Sequence, residues 1–171
     1  MLTETDQELI QRQCKLQNAI TIAEIAAFTR AYTVAKIASE SCEAVLSHPD
    51  TIISLVSVLG VLTVPETHGN FRSFPAVFDS GDKGVAWQVV YNAMVNWALA
   101  VANKSLSPLE IYREFEEIHP FFDGNGRVGH LIWAIAVTRE GRSWPESLPP
   151  DIFGKESGKS TYISSFGEVE E

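Results

Sequence analysis

Within the run HPFFDGNGR, His119 to Arg127, the chain gathers an imidazole, a carboxylate, a Gly-Asn-Gly turn and a guanidinium. Gly124 and Gly126 let the backbone adopt positive φ and approach a ligand closely. The N–H groups of Gly124, Asn125 and Gly126 open a helix, and such groups bind anions, phosphate above all. Arg127, in the first turn of that helix, adds a charge-assisted contact to phosphate. Asp123, beside the turn, is a carboxylate that can hold Mg²⁺ together with phosphate oxygens and water. His119 precedes the loop and can take a proton from an attacking hydroxyl near neutral pH. Base, metal ligand, anion nest and cationic clamp are the parts of nucleotidyl or phosphoryl transfer. A Gly-Asn-Gly turn is also a common connector and a helix-end histidine is ordinary, so composition alone leaves both readings open.

These residues need helices to position them, and the chain supplies helical periodicity almost throughout. Ser107-Pro108-Leu109-Glu110 is a helix start with a capping box, and Ile111, Tyr112, Phe115 and Ile118 form its apolar stripe up to His119. The helix after the loop begins near Asn125 and runs to Gly141, a natural residue just past a helix end. Earlier helices are expected over 5–18, polar and peripheral; over 20–41, with Ile20, Ile25, Val34 and Ile37 among its apolar positions; and over 51–62, capped by Asp50. A further helix, capped by Asp82 and ending near Asn103, carries Trp87, Val90, Met94, Trp97 and Val101 inward. Between Pro65 and Gly84 the helical pattern breaks, and this segment reads as a β-hairpin or an extended loop. From Arg142 onward the chain is broken by Pro and Gly, with a helix expected from Ser160.

The chain of 171 residues, 45% hydrophobic and 20% charged, is expected to be a single globular domain with a core over about 20–141 and an extension over 142–171. Its net charge of −9 repels a nucleic-acid backbone, so no nucleic-acid partner is expected. The longest apolar run, 52–64, is too short for a bilayer span, and the acidic, polar first residues are no secretory signal; no membrane contact and a cytoplasmic location are expected. Cys14 and Cys42 read as reduced thiols. His68, His119, Asp123 and His130 lack zinc-ligand spacing, and His68 reads as an exposed loop residue.

The run from His119 to Arg127 resembles the motif of the Fic family, His-x-Phe-x-(Asp/Glu)-Gly-Asn-Gly-Arg-x-x-Arg, at His119, Phe121, Asp123, Gly124, Asn125, Gly126 and Arg127. The resemblance implies an all-α fold, a Fic-type helical bundle with a small β-hairpin flap. It implies a protein adenylyltransferase that uses ATP and Mg²⁺ to place AMP on a Ser, Thr or Tyr hydroxyl of a target protein. In that reading His119 is the general base and Asp123 holds Mg²⁺, while Gly124, Asn125, Gly126, Arg127 and, in place of the motif's last arginine, His130 bind the phosphates. Gly69, Asn70, Phe71 and Arg72 belong to the flap that docks the target. The motif's last arginine is His130 here, three residues after Arg127 and so expected on the same side of the helix. Histidine offers at most one charge and no planar fork, which leaves open a transferase of another nucleotide or phosphate-linked donor, or a non-catalytic binding domain. The family's inhibitory helix finds partial counterparts at Ser164 to Glu168 and at Ser39 to Glu43, and a separate small antitoxin is the alternative source.

Overall fold

A computed structural model describes residues 1–76 and 84–154, together with the backbone at 163–164 and 167–168. Among the described residues the chain forms seven α-helices: α1 (Glu4–Leu16), α2 (Ile22–Ser39), α3 (Cys42–Val45), α4 (Pro49–Thr63), α5 (Val90–Ala102), α6 (Pro108–Ile118) and α7 (Asn125–Arg139). The expected all-α architecture holds. Two short strands, β1 (Ile163–Ser164) and β2 (Gly167–Glu168), pair antiparallel. The helix expected from Ser160 is therefore absent at those four positions.

Helix starts follow local capping chemistry. Thr3, Thr21 and Ser107 each accept from the N–H three residues on and are answered by Asp6, Glu24 and Glu110. α4 starts on His48 rather than Asp50: the Nδ1 of His48 accepts from the Asp50 N–H at 3.3 Å, and Pro49 takes the first helical position. α5 begins later than expected, after a 3₁₀ turn over Trp87–Val89, and Trp87 is largely exposed rather than inward. Asp82, its expected cap, lies outside the described residues.

The molecule is organised around α7, which is buried at every position from Asn125 to Val137. A helix apolar on all sides belongs in a core, and α2, α3, α4 and α6 pack against it. Two glycines allow close approach. A Cβ on Gly129 would lie 2.3 Å from Oε1 of Glu116 on α6, and one on Gly126 would lie 2.4 Å from the Gln17 side chain. α2 turns a small-residue face inward, with Ala27, Phe28, Ala31, Tyr32 and Ala35 buried, whereas Ile20 and Ile37 are exposed. α1 is less peripheral than its composition suggests, since Leu9, Ile10 and Cys14 are buried. Asp6 on α1 joins Lys36 and Tyr32 of α2, and the Tyr32 hydroxyl accepts from Trp144 Nε1 at 2.8 Å, so α2 is tied on both sides. Cys14 and Cys42 are both free thiols.

The hairpin flap is not seen. Residues 68–76 form turns and bends with no strand, and Val77 and Phe78 lie outside the described residues. The local reason is Arg72, whose N–H donates to Pro120 O at 2.7 Å instead of to a partner strand.

Candidate functional site

α6 ends at His119, which adopts φ 53° and ψ 62°. That left-handed region is uncommon for a side-chain-bearing residue, and the last carbonyls of a helix lack partners within the helix. Arg72 supplies them. Its Nε donates to His119 O at 2.7 Å, its Nη2 to Ile118 O at 3.2 Å, and its own N–H to Pro120 O. The same guanidinium also donates to Phe74 O and Val85 O. Arg72 is buried, and burial pulls its pKa below the ordinary arginine value; arginine remains a cation even so. This side chain, expected to dock a target, is committed to the scaffold beneath His119.

The loop after His119 is held from inside. Phe121 is fully buried and meets α4 where Gly60 leaves room: a Cβ there would lie 2.4 Å from the ring. The Asn125 side chain accepts from Phe121 N–H and donates to Phe121 O, both at 2.8 Å, and so staples the loop. Gly124, at φ 84°, donates its N–H to Oδ1 of Asp123 at 2.7 Å. The first α7 N–H to find a carbonyl in its own turn is that of Val128, on Gly124 O. The N–H groups of Asn125, Gly126 and Arg127 therefore form the positive end of the helix.

Beside this helix end lies a cavity of about 340 Å³, lined by Ala23, Glu24, Ala27 and Arg30 of α2, by 63–66 at the end of α4, and by Phe122, Asp123 and Arg127. Its volume falls in the range of small-molecule sites. Arg127 is the unusual member. Its side chain is 2% exposed, its Nη2 stands 3.5 Å from Oδ1 of the exposed Asp123, and its Nε and Nη1 meet no acceptor among the described residues. The buried Thr63 hydroxyl, on the same cavity, also meets no partner among the described residues. A buried guanidinium so thinly paired is costly, and an anion in the cavity beside it would offset its charge.

The predicted residues are distributed unevenly around this cavity. Asp123 and Arg127 line it; Gly124, Asn125 and Gly126 are buried and do not, and Gln13 of α1 donates to Gly126 O at 3.2 Å while Gln17 packs on Gly126. His130 departs from expectation. It is 1% exposed, between Phe28, Tyr32 and Trp133 at ring separations of 6.0–6.2 Å. Burial pulls its pKa down to about 3, so it is neutral and offers no cation. Spacing places His130 next to Arg127 on the helix, but on α7, buried all round, that position faces aromatic rings and not the cavity. Gly69, Asn70, Phe71 and Arg72 line a separate groove of about 440 Å³ with Ser57, Trp87 and Tyr91. Ser57 and Thr63, one on each recess, are six residues apart on α4, about 9 Å along its axis.

Both polar contacts of Asp123 use Oδ1, so Oδ2 on the cavity rim fits a ligand for Mg²⁺ that takes its other oxygens from phosphate and water. Among the described residues no group of three or more His, Cys, Asp or Glu side chains could hold a metal without such help. His68 is exposed, as expected. Of the inhibitory-helix candidates, Glu43 is exposed and pairs with Lys104, and the backbone at 163–164 and 167–168 is extended and not helical. What sequence reasoning missed is the wall supplied by α2, whose Ala23 and Ala27 line the cavity, and the packing of Gln13 and Gln17 on Gly126, none of which carries a motif.

Comparison with known proteins agrees with this geometry. No curated protein matches the chain. Among solved structures, the fold is similar to that of a Fic domain-containing signaling protein from Bacteroides thetaiotaomicron VPI-5482, with a TM-score of 0.56 and 18% identity, over 89% of this chain and 63% of that one. The chain thus spans less than two thirds of that protein. Among the described residues no helix is long and apolar enough to cross a membrane. The Fic/DOC family model matches residues 85–136, from the approach to α5 through most of α7, so this part of the chain and its fold are similar to those of Fic proteins.

Proposed function

We propose that the chain is a transferase that moves a phosphate-linked group onto a protein hydroxyl, with AMP from ATP as the group. The observation that carries this reading is Arg127, a buried guanidinium facing a cavity at a helix N-terminus with two of its nitrogens unsatisfied among the described residues. Phosphate is the ligand chemistry that meets both the helix end and the fork. In this reading His119 takes the proton of a Ser, Thr or Tyr hydroxyl, and the oxygen attacks the α-phosphorus in line. The bond from that phosphorus to the bridging oxygen breaks, and pyrophosphate leaves. Arg127 faces the charge that accumulates on the departing phosphates. Mg²⁺ held on Asp123 would neutralise phosphate charge.

One observation favours a second reading, a donor other than ATP. His130 is enclosed and neutral, so among the motif positions Arg127 is the sole cation. A diphosphate-linked donor needs less counter-charge than a triphosphate.

Transfer from α-phosphate-labelled ATP with Mg²⁺ into a cell lysate, wild type against His119→Ala, separates the readings. Label that vanishes in the variant supports AMP transfer. No label in either sinks the ATP reading, and the assay is then repeated with labelled diphosphate-linked donors.

A further inference from the structure

We infer that Arg72 is a positioning residue for His119, holding that residue's backbone in its left-handed conformation from a site 47 positions earlier in the chain. The inference rests on His119 being the base of the proposed reaction. Three consecutive carbonyls, of Ile118, His119 and Pro120, accept from Arg72, two from its guanidinium and one from its own N–H. Left-handed backbone at a residue with a Cβ persists only where its surroundings over-determine it. Here the over-determination comes from a charged donor, whose hydrogen bonds are stronger than those of a neutral amide.

The clamp also reaches away from α6. Nη1 and Nη2 hold Phe74 O and Val85 O, and between those points Gly84 N–H donates to Ala76 O at 2.9 Å. The wall of the 440 Å³ groove and the backbone of His119 thus share one donor set, since Arg72, Phe71 and Ser73 line that groove. Phe71 adds a second tie by packing edge-on against Phe121, with ring centres 5.6 Å apart. A lysine at position 72 keeps the charge but cannot fork to several carbonyls.

The test reads the imidazoles directly, so it does not depend on any transfer activity. The chain has four histidines, and two of them, His48 and His68, are exposed and serve as internal references. Arg72→Lys and Arg72→Gln are made in the full chain, and the Cε1–Hε1 resonances are recorded at fixed pH with amide exchange. The expected result is that the His119 resonance shifts or splits while His48 and His68 stay in place. Exchange at residues 118–121 rises about tenfold or more, with α2 and α7 as protected as before. A folded Arg72→Lys protein with unchanged His119 resonance and unchanged exchange at 118–121 overturns the inference. So does a uniform loss of protection, or an Arg72→Lys chain that does not fold, because either assigns Arg72 to global stability. A wild type that transfers no label, with the resonance changes present, defeats the proposed function and leaves the positioning role standing.

Discussion

Arg72 and Arg127 are both enclosed guanidiniums, and they sit in opposite surroundings. Arg72 spends its donors on four carbonyls, three of them 13 to 47 residues away and one two residues on. Arg127 has one long contact to an exposed carboxylate and two nitrogens with no acceptor among the described residues. The first arrangement is what a fold does with a buried charge it needs for itself. The second is what a fold does with a charge it keeps for something else, at a cost in its own stability. The contrast separates scaffold from site without reference to any motif.

Replacing each arginine by methionine tests the contrast most strongly. Arg72→Met removes the guanidinium donor from four carbonyls, of which that of Ile118 is in a buried bond and the others are in part-buried ones, and is expected to cost about 4 kcal/mol in urea unfolding. Arg127→Met removes an under-paired buried charge and is expected to change stability by no more than about 1 kcal/mol, in either direction. Equal losses would erase the distinction. Introducing a third guanidinium sharpens it: His130→Arg puts a charge among Phe28, Tyr32 and Trp133. That variant is expected to cost about 3 kcal/mol, and added pyrophosphate should not restore its melting temperature.

The pH dependence follows from His130. Its folded pKa lies far below the ordinary histidine value, so between about pH 6.5 and 3 the unfolded chain binds the extra proton. Stability from this group is complete above about pH 6.5 and is lost as the pH falls below it, by about 2 kcal/mol between pH 7 and 5. His130→Phe should flatten that stretch of the curve, as followed by denaturant unfolding at each pH. At Asp6, burial pushes the pKa up, but the hydrogen bonds from Lys36, Thr3 and Tyr32 outweigh it and leave the value lowered. Its contribution therefore disappears at lower pH, as the carboxyl protonates. Gly60→Ala presses on the Phe121 ring and should cost about 1–2 kcal/mol.

What could be read in advance depended on the range of the interactions. The start of α6 was legible because Ser107 and Glu110 meet within one turn, and the loop from His119 to Arg127 because its chemistry lies in consecutive residues. Arg72 was not, since its partners lie 46 and 47 residues away and nothing local distinguishes it from a surface arginine. His130 was misplaced because spacing on a helix gives an angle, and whether that angle meets a ligand or a core is decided by α2. The inward face of α2 was misjudged for a related reason: the closeness of α7 selects Ala27, Ala31 and Ala35 over the larger Ile20 and Ile37. Among the described residues the hairpin expected near Gly69 is not seen: Gly69 and Asn70 donate to Thr67 in a local turn, and the Arg72 N–H donates to Pro120 O.

The enclosure of α7 has a consequence for how the protein is made. Helices α2, α3, α4 and α6, which pack against it, all precede it in the chain. During synthesis from the N-terminus, the shell is complete in sequence before its centre has emerged. Asn125, Gly126 and Arg127 arrive with that centre, after His119 and Asp123, so a chain ending before α7 would carry a shell without the proposed phosphate-binding helix end. Such partial products are expected to lack the proposed activity, which would begin only once α7 is enclosed.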